Sequence, residues 1–113
     1  MDAFEEGWIA GWLEGEGTFH CTISKPTATR KAYRRLVVRA VSTDYDTVVR
    51  AQTYAGGDIY GPYQYGIRQP HWQWGIGGNE PAAEFMRMIR PLMGQRRQKQ
   101  IDEALAKASD TNN

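Results

Sequence analysis

Two neighbouring segments of this 113-residue chain alternate apolar and polar residues, and this alternation limits the folds that the chain can adopt. In residues 18–24 every second side chain is apolar, and residues 33–41 repeat the pattern with Arg35 and Arg39 on the other face. The opposite assignment would bury two unpaired arginines, at a cost of several kcal/mol each. Such alternation is typical of a strand with one buried face. We therefore predict an antiparallel hairpin, closed by a loop over residues 25–32, whose polar face stays open to solvent.

Cap and turn residues divide the rest of the chain into helices and short strands. In chain order we predict a helix from Asp2, the hairpin, a helix capped by Ser42, Thr43 or Asp44 that runs to about Tyr54, strands over 59–65 and 71–76, a helix from Asn79 that Pro91 ends, and a helix over 95–108. The order α-β-β-α-β-β-α-α predicts an α+β fold, in which helices back a four-stranded antiparallel sheet. A chain of this length suits one domain, which we place at residues 1–108, with a frayed tail at 109–113.

Composition argues against membrane and secreted classes. The longest apolar run, Trp8 to Leu13, is too short to span a bilayer, and residues 1–6 are acidic where a secretory signal is basic. The single cysteine, Cys21, rules out an internal disulfide framework and suits a reducing compartment. We therefore expect an intracellular protein that is cytoplasmic or nucleoid-associated. Location in an organelle is an alternative. We expect no membrane partner and no small-molecule substrate.

The distribution of charge says more than the net charge of +1. Five acids lie within the first sixteen residues, whereas the stretch from Lys25 to Arg39 contains six basic residues and no acid. A second basic cluster runs from Arg87 to Lys99. Basic side chains bind phosphate and carboxylates bind metal ions, so an acidic centre between basic surfaces is the charge pattern of a nuclease. The alternative is that these charges only form solvated surfaces without a ligand.

Three glycines of the first helix, Gly7, Gly11 and Gly15, lie four residues apart and therefore share one face. Each costs roughly 1 kcal/mol relative to alanine in a helix interior, but glycine lets two helix backbones approach closely. We predict that this helix pairs with a second copy of itself, and contact with the chain's own sheet is the alternative. The predicted interface residues are Gly7, Ala10, Gly11 and Glu14. The predicted apolar face consists of Phe4, Trp8, Ile9, Trp12 and Leu13.

The first helix is predicted to end at Glu14 and Glu16, with Gly15 between these acids and Gly17 after them. Carboxylate oxygens are ligands that Mg²⁺ prefers, and the carbonyls at a helix end lack helical partners. The segment therefore indicates a metal site, with ordinary surface glutamates as the alternative.

The nine residues from Ile9 to Gly17, which read Ile-Ala-Gly-Trp-Leu-Glu-Gly-Glu-Gly, resemble the LAGLIDADG motif of homing endonucleases. The predicted element order is similar to that of the family, and so is a basic late helix that begins Arg96-Arg97-Gln98-Lys99-Gln100. The resemblance covers about residues 3–108. It implies an endonuclease of the single-motif type, which acts as a homodimer.

The resemblance also implies roles for individual residues. Glu16, as the last acid of the motif, would be the catalytic metal ligand, and the carbonyl of Gly15 would assist it. The basic residue beside the active site would be Arg97 or Arg96. The polar residue that orders water would be Thr43 or Ser42, although the family often has glutamine there. Mg²⁺ is the expected cofactor, with Mn²⁺ as a substitute and Ca²⁺ as an occupant that does not support turnover.

Recognition of double-stranded DNA is expected on the polar face of the sheet, because an antiparallel ribbon fits the major groove. The candidate residues are His20, Thr22, Ser24, Arg35, Arg39, Tyr60, Gln64, Arg68, His71 and Gln73. Lys25, Arg30 and Lys31 in the first loop are expected to meet phosphate or outer bases.

The sequence therefore predicts a metal-dependent enzyme that cuts both strands of a near-palindromic DNA site. One motif per chain requires a homodimer, because two strands need two active sites. A DNA-binding regulator or an RNA-splicing cofactor on the same fold is the main alternative. A β-sheet RNA-binding module is less favoured, since such a module presents aromatic residues on its open face, and this face is mostly polar or basic.

Overall fold

The protein is described over residues 1–109 by a computed structural model. Its elements are α1 (Ala3–Glu16), β1 (Thr18–Ser24), β2 (Tyr33–Ser42), α2 (Tyr45–Ala55), β3 (Asp58–Tyr63), β4 (His71–Ile76), α3 (Asn79–Ile89), a 3-10 turn (Arg90–Leu92) and α4 (Gln95–Ser109). This confirms the predicted element order and the α+β class. Within residues 1–109, no helix combines the length and the apolar character needed to cross a membrane.

The four strands form one antiparallel sheet in the order β1-β2-β4-β3. In the first hairpin Thr22 pairs with Arg35, and on the next rung Cys21 pairs with Leu36. Cys21 and Leu36 are buried, whereas Thr22 and Arg35 are exposed, so the predicted faces of both strands are confirmed. Arg39 is also exposed and lies opposite Gly75 of β4.

The helices cover one face of this sheet and enclose a single hydrophobic core. Trp74 of β4 lies at its centre, fully buried, and its indole Nε1 donates a hydrogen bond to the Gly56 carbonyl at 2.8 Å. Its ring contacts Trp12 of α1 and Phe85 of α3, each at a centroid distance of 5.9 Å. Because aromatic pairs at such distances add to the burial of apolar area, β4 holds helices from both ends of the chain.

Cap residues set the helix ends as the sequence predicts. Asp2 and Glu5 form a capping box at the start of α1, and the Asp44 side chain accepts a hydrogen bond from the Asp46 amide at the start of α2. Helix α4 runs one residue past the predicted boundary at 108, and the rest of the predicted tail lies outside the described residues.

Two sequence-based assignments are corrected. Strand β3 ends at Tyr63 rather than Tyr65, because its pairing with β4 is irregular between Tyr60 and Tyr63, where Pro62 has no amide hydrogen to donate. The β3–β4 connection, residues 64–70, is therefore longer than predicted. In α1, Phe4 does not join the apolar face that packs into the core: it is 68% exposed and lies on the same face as the glycines.

Asn79, the first residue of α3, binds the free edge of β2. Its amide oxygen accepts a hydrogen bond from the Leu36 N–H at 2.9 Å, and its amide nitrogen donates to the Arg34 carbonyl at 2.8 Å. Strand β4 pairs with β2 only from Val38 onward. The asparagine therefore supplies the partners that a neighbouring strand would otherwise give to the first half of β2.

Replacing Asn79 by alanine should lower the free energy of unfolding by about 1–2 kcal/mol, because two backbone groups of β2 lose their partners. Urea denaturation measures this change. Glu84→Ala, in the exposed part of the same helix, is the control and should stay within about 0.5 kcal/mol of wild type. Equal stability of the Asn79 variant and wild type would contradict this account of the β2 edge.

Candidate active site and DNA-binding face

The open face of the sheet brings together most of the residues predicted to read DNA. Thr22 and Arg35 lie side by side, Arg39 lies farther along β2, and Tyr60 pairs with Gln73 across β3 and β4. These five side chains line one shallow groove of about 230 Å³. A positively charged surface of this shape suits the edge of a nucleic acid duplex.

His20 and Ser24 extend this face along β1. The Nε2 atom of His20 lies 3.1 Å from the Thr22 hydroxyl, and the Ser24 hydroxyl accepts a hydrogen bond from the Tyr33 amide. Partial burial lowers the pKa of His20, and the positive charges of Arg39 and Lys107 lower it further. His20 is therefore neutral at pH 7, so that it offers both a hydrogen-bond donor and an acceptor.

The remaining predicted DNA contacts lie outside the sheet face. Lys25, Arg30 and Lys31 are exposed in the β1–β2 loop, where the Thr27 amide donates a hydrogen bond to the Arg30 carbonyl at 2.8 Å. Gln64 is exposed just after β3. Arg68 is exposed in the connection between β3 and β4.

Arg68 lies in the β3–β4 connection and lines a cleft beside the end of α1. This cleft, which we call the Glu16 cleft, has a volume of about 690 Å³. Its lining residues are Trp12, Glu16, Val41, Ser42, Thr43, Thr47, Tyr65, Arg68, Gln69 and His71. The structure thus brings Glu16 together with both candidates for the water-ordering residue, Thr43 and Ser42, although they are far apart in sequence.

His71 connects this cleft to the sheet. It is the first residue of β4, and its ring packs against Tyr63 at 5.8 Å and Tyr65 at 5.6 Å between centroids. Packing between two tyrosines ties the connection 64–70 to the sheet. His71 therefore holds the wall of the cleft and also borders the open face of the sheet.

The donor set at the end of α1 fits a divalent cation that prefers oxygen. Glu16 is exposed and is the last helical residue, and Gly15 beside it is exposed as well. Carbonyls in the last turn lack helical donors, so they are available as ligands. Within residues 1–109, no three His, Cys, Asp or Glu side chains are grouped as a metal site. One chain thus supplies Glu16 and the Gly15 carbonyl, and a bound ion would need further oxygen ligands from water, phosphate or a second chain.

Arg97 lies beside the acidic end of α1, but its contacts differ from those predicted. The residue is only 7% exposed, its Nε donates to the Glu14 carbonyl at 3.0 Å, and its Nη1 donates to the Gln100 side chain at 2.9 Å. A guanidinium committed in this way has little surface for a phosphate. Arg97 therefore holds the C-terminal turn of α1 in place, and its predicted direct part in catalysis stays a prediction. Arg96 is exposed and does not line the Glu16 cleft.

Glu14 accepts a second hydrogen bond from the start of α4. Its carboxylate accepts a hydrogen bond from the Gly94 amide at 2.6 Å, just before the first turn of α4. The C-terminal turn of α1 and the N-terminal turn of α4 are therefore joined by two hydrogen bonds that Glu14 accepts, one through its carboxylate and one through its carbonyl, which we call the α1–α4 junction. This carboxylate therefore has an intrachain role, and the assignment of Glu14 to a dimer interface stays a prediction.

The predicted dimer face is only partly available. Gly7 and Gly11 are exposed, and a Cβ atom added at either would meet nothing within 4 Å. Ala10 is 6% exposed and packs in the core of its own chain, and its assignment to the interface stays a prediction. The glycine face of α1 is thus open, which excludes the alternative that it packs against the chain's own sheet. Phe4 lies on this open face.

Sequence reasoning missed that the β3–β4 connection contributes to the cleft. The signal was available in part: the connection is long, and it returns the chain to the end of β4 that lies beside Ser42. What the sequence did not show was the irregular end of β3, which makes the connection long enough to reach α1.

Replacing Arg97 by methionine should lower the free energy of unfolding by about 1–3 kcal/mol, because the Glu14 carbonyl and the Gln100 side chain lose a partly buried partner. Urea denaturation measures the loss. Arg96→Met is the matched control on the neighbouring, exposed position and should change stability by less than about 0.5 kcal/mol. If the two variants unfolded at the same urea concentration, the α1–α4 junction would not depend on this arginine.

Solved structures of homing endonucleases are similar to this fold. The homing endonuclease I-CvuI, crystallised in complex with an I-CreI target in the presence of magnesium with the DNA not cleaved, has a TM-score of 0.67 at 13% identity, over 94% of this chain and 71% of that one. The homing endonuclease I-TnaI has a TM-score of 0.68 at 14% identity, over 89% of this chain and 69% of that one. The I-LtrWI LAGLIDADG homing endonuclease bound to target DNA has a TM-score of 0.67 at 17% identity, over 94% of this chain and 37% of that one.

No family model and no curated protein sequence matches the chain. The likeness to the solved structures therefore rests on three-dimensional shape, together with the motif-like segment from Ile9 to Gly17 that ends at the Glu16 cleft. By its element order, sheet topology and helix placement, the chain has the fold of the LAGLIDADG homing endonucleases.

Proposed function

We propose that the protein is a site-specific endonuclease that hydrolyses both strands of DNA as a homodimer, with a divalent metal ion held by Glu16. The observation that carries this proposal is the Glu16 cleft, where an exposed carboxylate and the hydroxyl residues Ser42 and Thr43 lie at the border of the basic sheet face. The DNA complexes of similar folds support duplex DNA as the ligand. A homodimer would act on a target close to palindromic.

Each element of the site has a part in this reaction. The sheet face binds base edges through Arg35 and Arg39, and the β1–β2 loop binds phosphate. The carboxylate of Glu16, assisted by the Gly15 carbonyl, would hold Mg²⁺ or Mn²⁺, which supplies an activated water and neutralises charge on the phosphate. Thr43 or Ser42 would orient that water by hydrogen bonding. Within residues 1–109 no side chain is needed as the nucleophile.

Glu16→Gln tests the metal assignment. The amide keeps the shape of the side chain without its charge, so cleavage in Mg²⁺ should fall by about a thousandfold, which corresponds to several kcal/mol of transition-state stabilisation. Binding should persist, because it depends on the sheet. Single-turnover cleavage and binding in Ca²⁺ are measured on duplexes selected by the wild type from a randomised library.

Glu103→Gln, which removes an exposed carboxylate from α4, is the matched control and should cut at the wild-type rate. Normal cleavage by the Glu16 variant in Mg²⁺ would reject the assignment. A wild type that binds its selected duplex tightly but cuts none would favour the DNA-binding regulator or splicing cofactor instead.

The dimer interface is proposed on the open face of α1. Phe4 is 68% exposed there and lies beside Gly7 and Gly11, whose missing side chains leave room for a second backbone. An exposed aromatic residue next to a groove of glycine favours contact with another helix. Pairing along this face would bring two copies of Glu16 to one side of the dimer, as cutting of two strands requires.

Gly11→Leu should convert the dimer to a monomer that remains folded. The leucine meets no atom of its own chain near Cβ and has a higher helix propensity than glycine, so the monomer should be as stable as wild type or more stable. Analytical ultracentrifugation without DNA measures the mass, and circular dichroism checks the fold. Glu103→Leu is the control for an added apolar residue on α4. A wild type that is monomeric at micromolar concentration, or a Gly11 variant that stays dimeric, would contradict this interface.

A further inference from the structure

The Glu16 cleft contains one permanently charged cation, Arg68. Of the ten residues that line the cleft, Glu16 carries the negative charge and Arg68 carries the positive one. They come from separate elements, the end of α1 and the β3–β4 connection. A carboxylate suited to a metal and a guanidinium that shares its cleft are two groups that can act together on a reacting phosphodiester.

The other cations considered for this role lie elsewhere. Arg97 is buried and donates its hydrogen bonds to Glu14 and Gln100, and Arg96 is absent from the cleft lining. Phosphoryl chemistry gains most from a donor that faces the developing charge at the reacting group. Arg68 lines the cleft that contains Glu16, whereas the two arginines of α4 do not.

The connection that carries Arg68 is held in place. The Arg68 amide donates a hydrogen bond to the Tyr65 carbonyl at 3.2 Å, and the Tyr65 ring packs on His71. Since His71 is the first residue of β4, this contact fixes the turn to the sheet. The guanidinium therefore starts from a defined backbone position at the edge of the cleft.

We propose that Arg68 is a catalytic residue that contacts the scissile phosphate in the Glu16 cleft and stabilises the charge that develops on it. This inference rests on the proposed function. In this proposal Arg68 takes the role that the family resemblance gives to an arginine of α4, and contact with the scissile phosphate replaces its predicted part in base recognition. Its fork of N–H donors matches the geometry of two phosphate oxygens.

The test separates binding from the chemical step. Arg68→Ala and Arg68→Lys are compared with wild type on the duplex that wild type selects, in Mg²⁺ for single-turnover cleavage at saturating enzyme and in Ca²⁺ for affinity. The alanine variant should cut about a hundredfold more slowly, which is typical for loss of one transition-state donor. Its affinity should change by less than about threefold, because the sheet face makes most of the contacts. The lysine variant keeps the charge and should cut at an intermediate rate.

Arg87→Ala is the matched control, because Arg87 is exposed on α3 and lines neither the cleft nor the groove of the sheet face. It should cut like wild type. If Arg68→Ala cut bound DNA at the wild-type rate while affinity or base preference fell, Arg68 would read DNA rather than catalyse, and the inference would be overturned. Failure of the proposed function looks different: then wild type would cut no selected duplex, or Glu16→Gln would cut as fast as wild type.

Discussion

Burial of the sheet on one face only is the constraint on which the rest of the structure depends. The helices contribute enough apolar surface to cover Leu36, Val38 and Trp74, and none remains for the opposite face. That face must then be polar, because an exposed apolar sheet would favour aggregation. The chain places Arg35 and Arg39 there, so the same alternation that forms the core also creates the basic groove.

Different parts of helix α1 have different surroundings. Ile9 and Leu13 are fully buried and anchor it in the core, its glycines leave an open face, and its last residue, Glu16, enters the cleft. Such a helix cannot move without changing all three. The α1–α4 junction limits movement where it matters most, because it binds the backbone and the side chain of Glu14, two residues before the candidate metal ligand.

Sequence patterns were reliable where they depend on neighbours along the chain and unreliable where they depend on distant residues. Alternation placed Thr22 and Arg35 on the open face, since side-chain direction in a strand reverses at every residue. Helical periodicity alone grouped Phe4 with the apolar face of α1, although its side chain is 68% exposed. The contacts of Arg97 could not be predicted for a related reason. A position in a basic helix does not reveal that a guanidinium is used to cap the end of another helix.

The sequence by itself determined the order of the elements, the two faces of the sheet, the capped starts of α1 and α2, and the presence of Glu16 at a glycine-rich helix end. These follow from local backbone preference and from the periods of the helix and the strand. Only the tertiary structure decided which polar groups share a cleft with Glu16. The contents of that cleft depend on the irregular end of β3, on the packing of Tyr65 against His71 and on the α1–α4 junction. The first shifts a strand register, and the other two are side-chain contacts between separate elements. None of the three leaves a periodic signal in the chain.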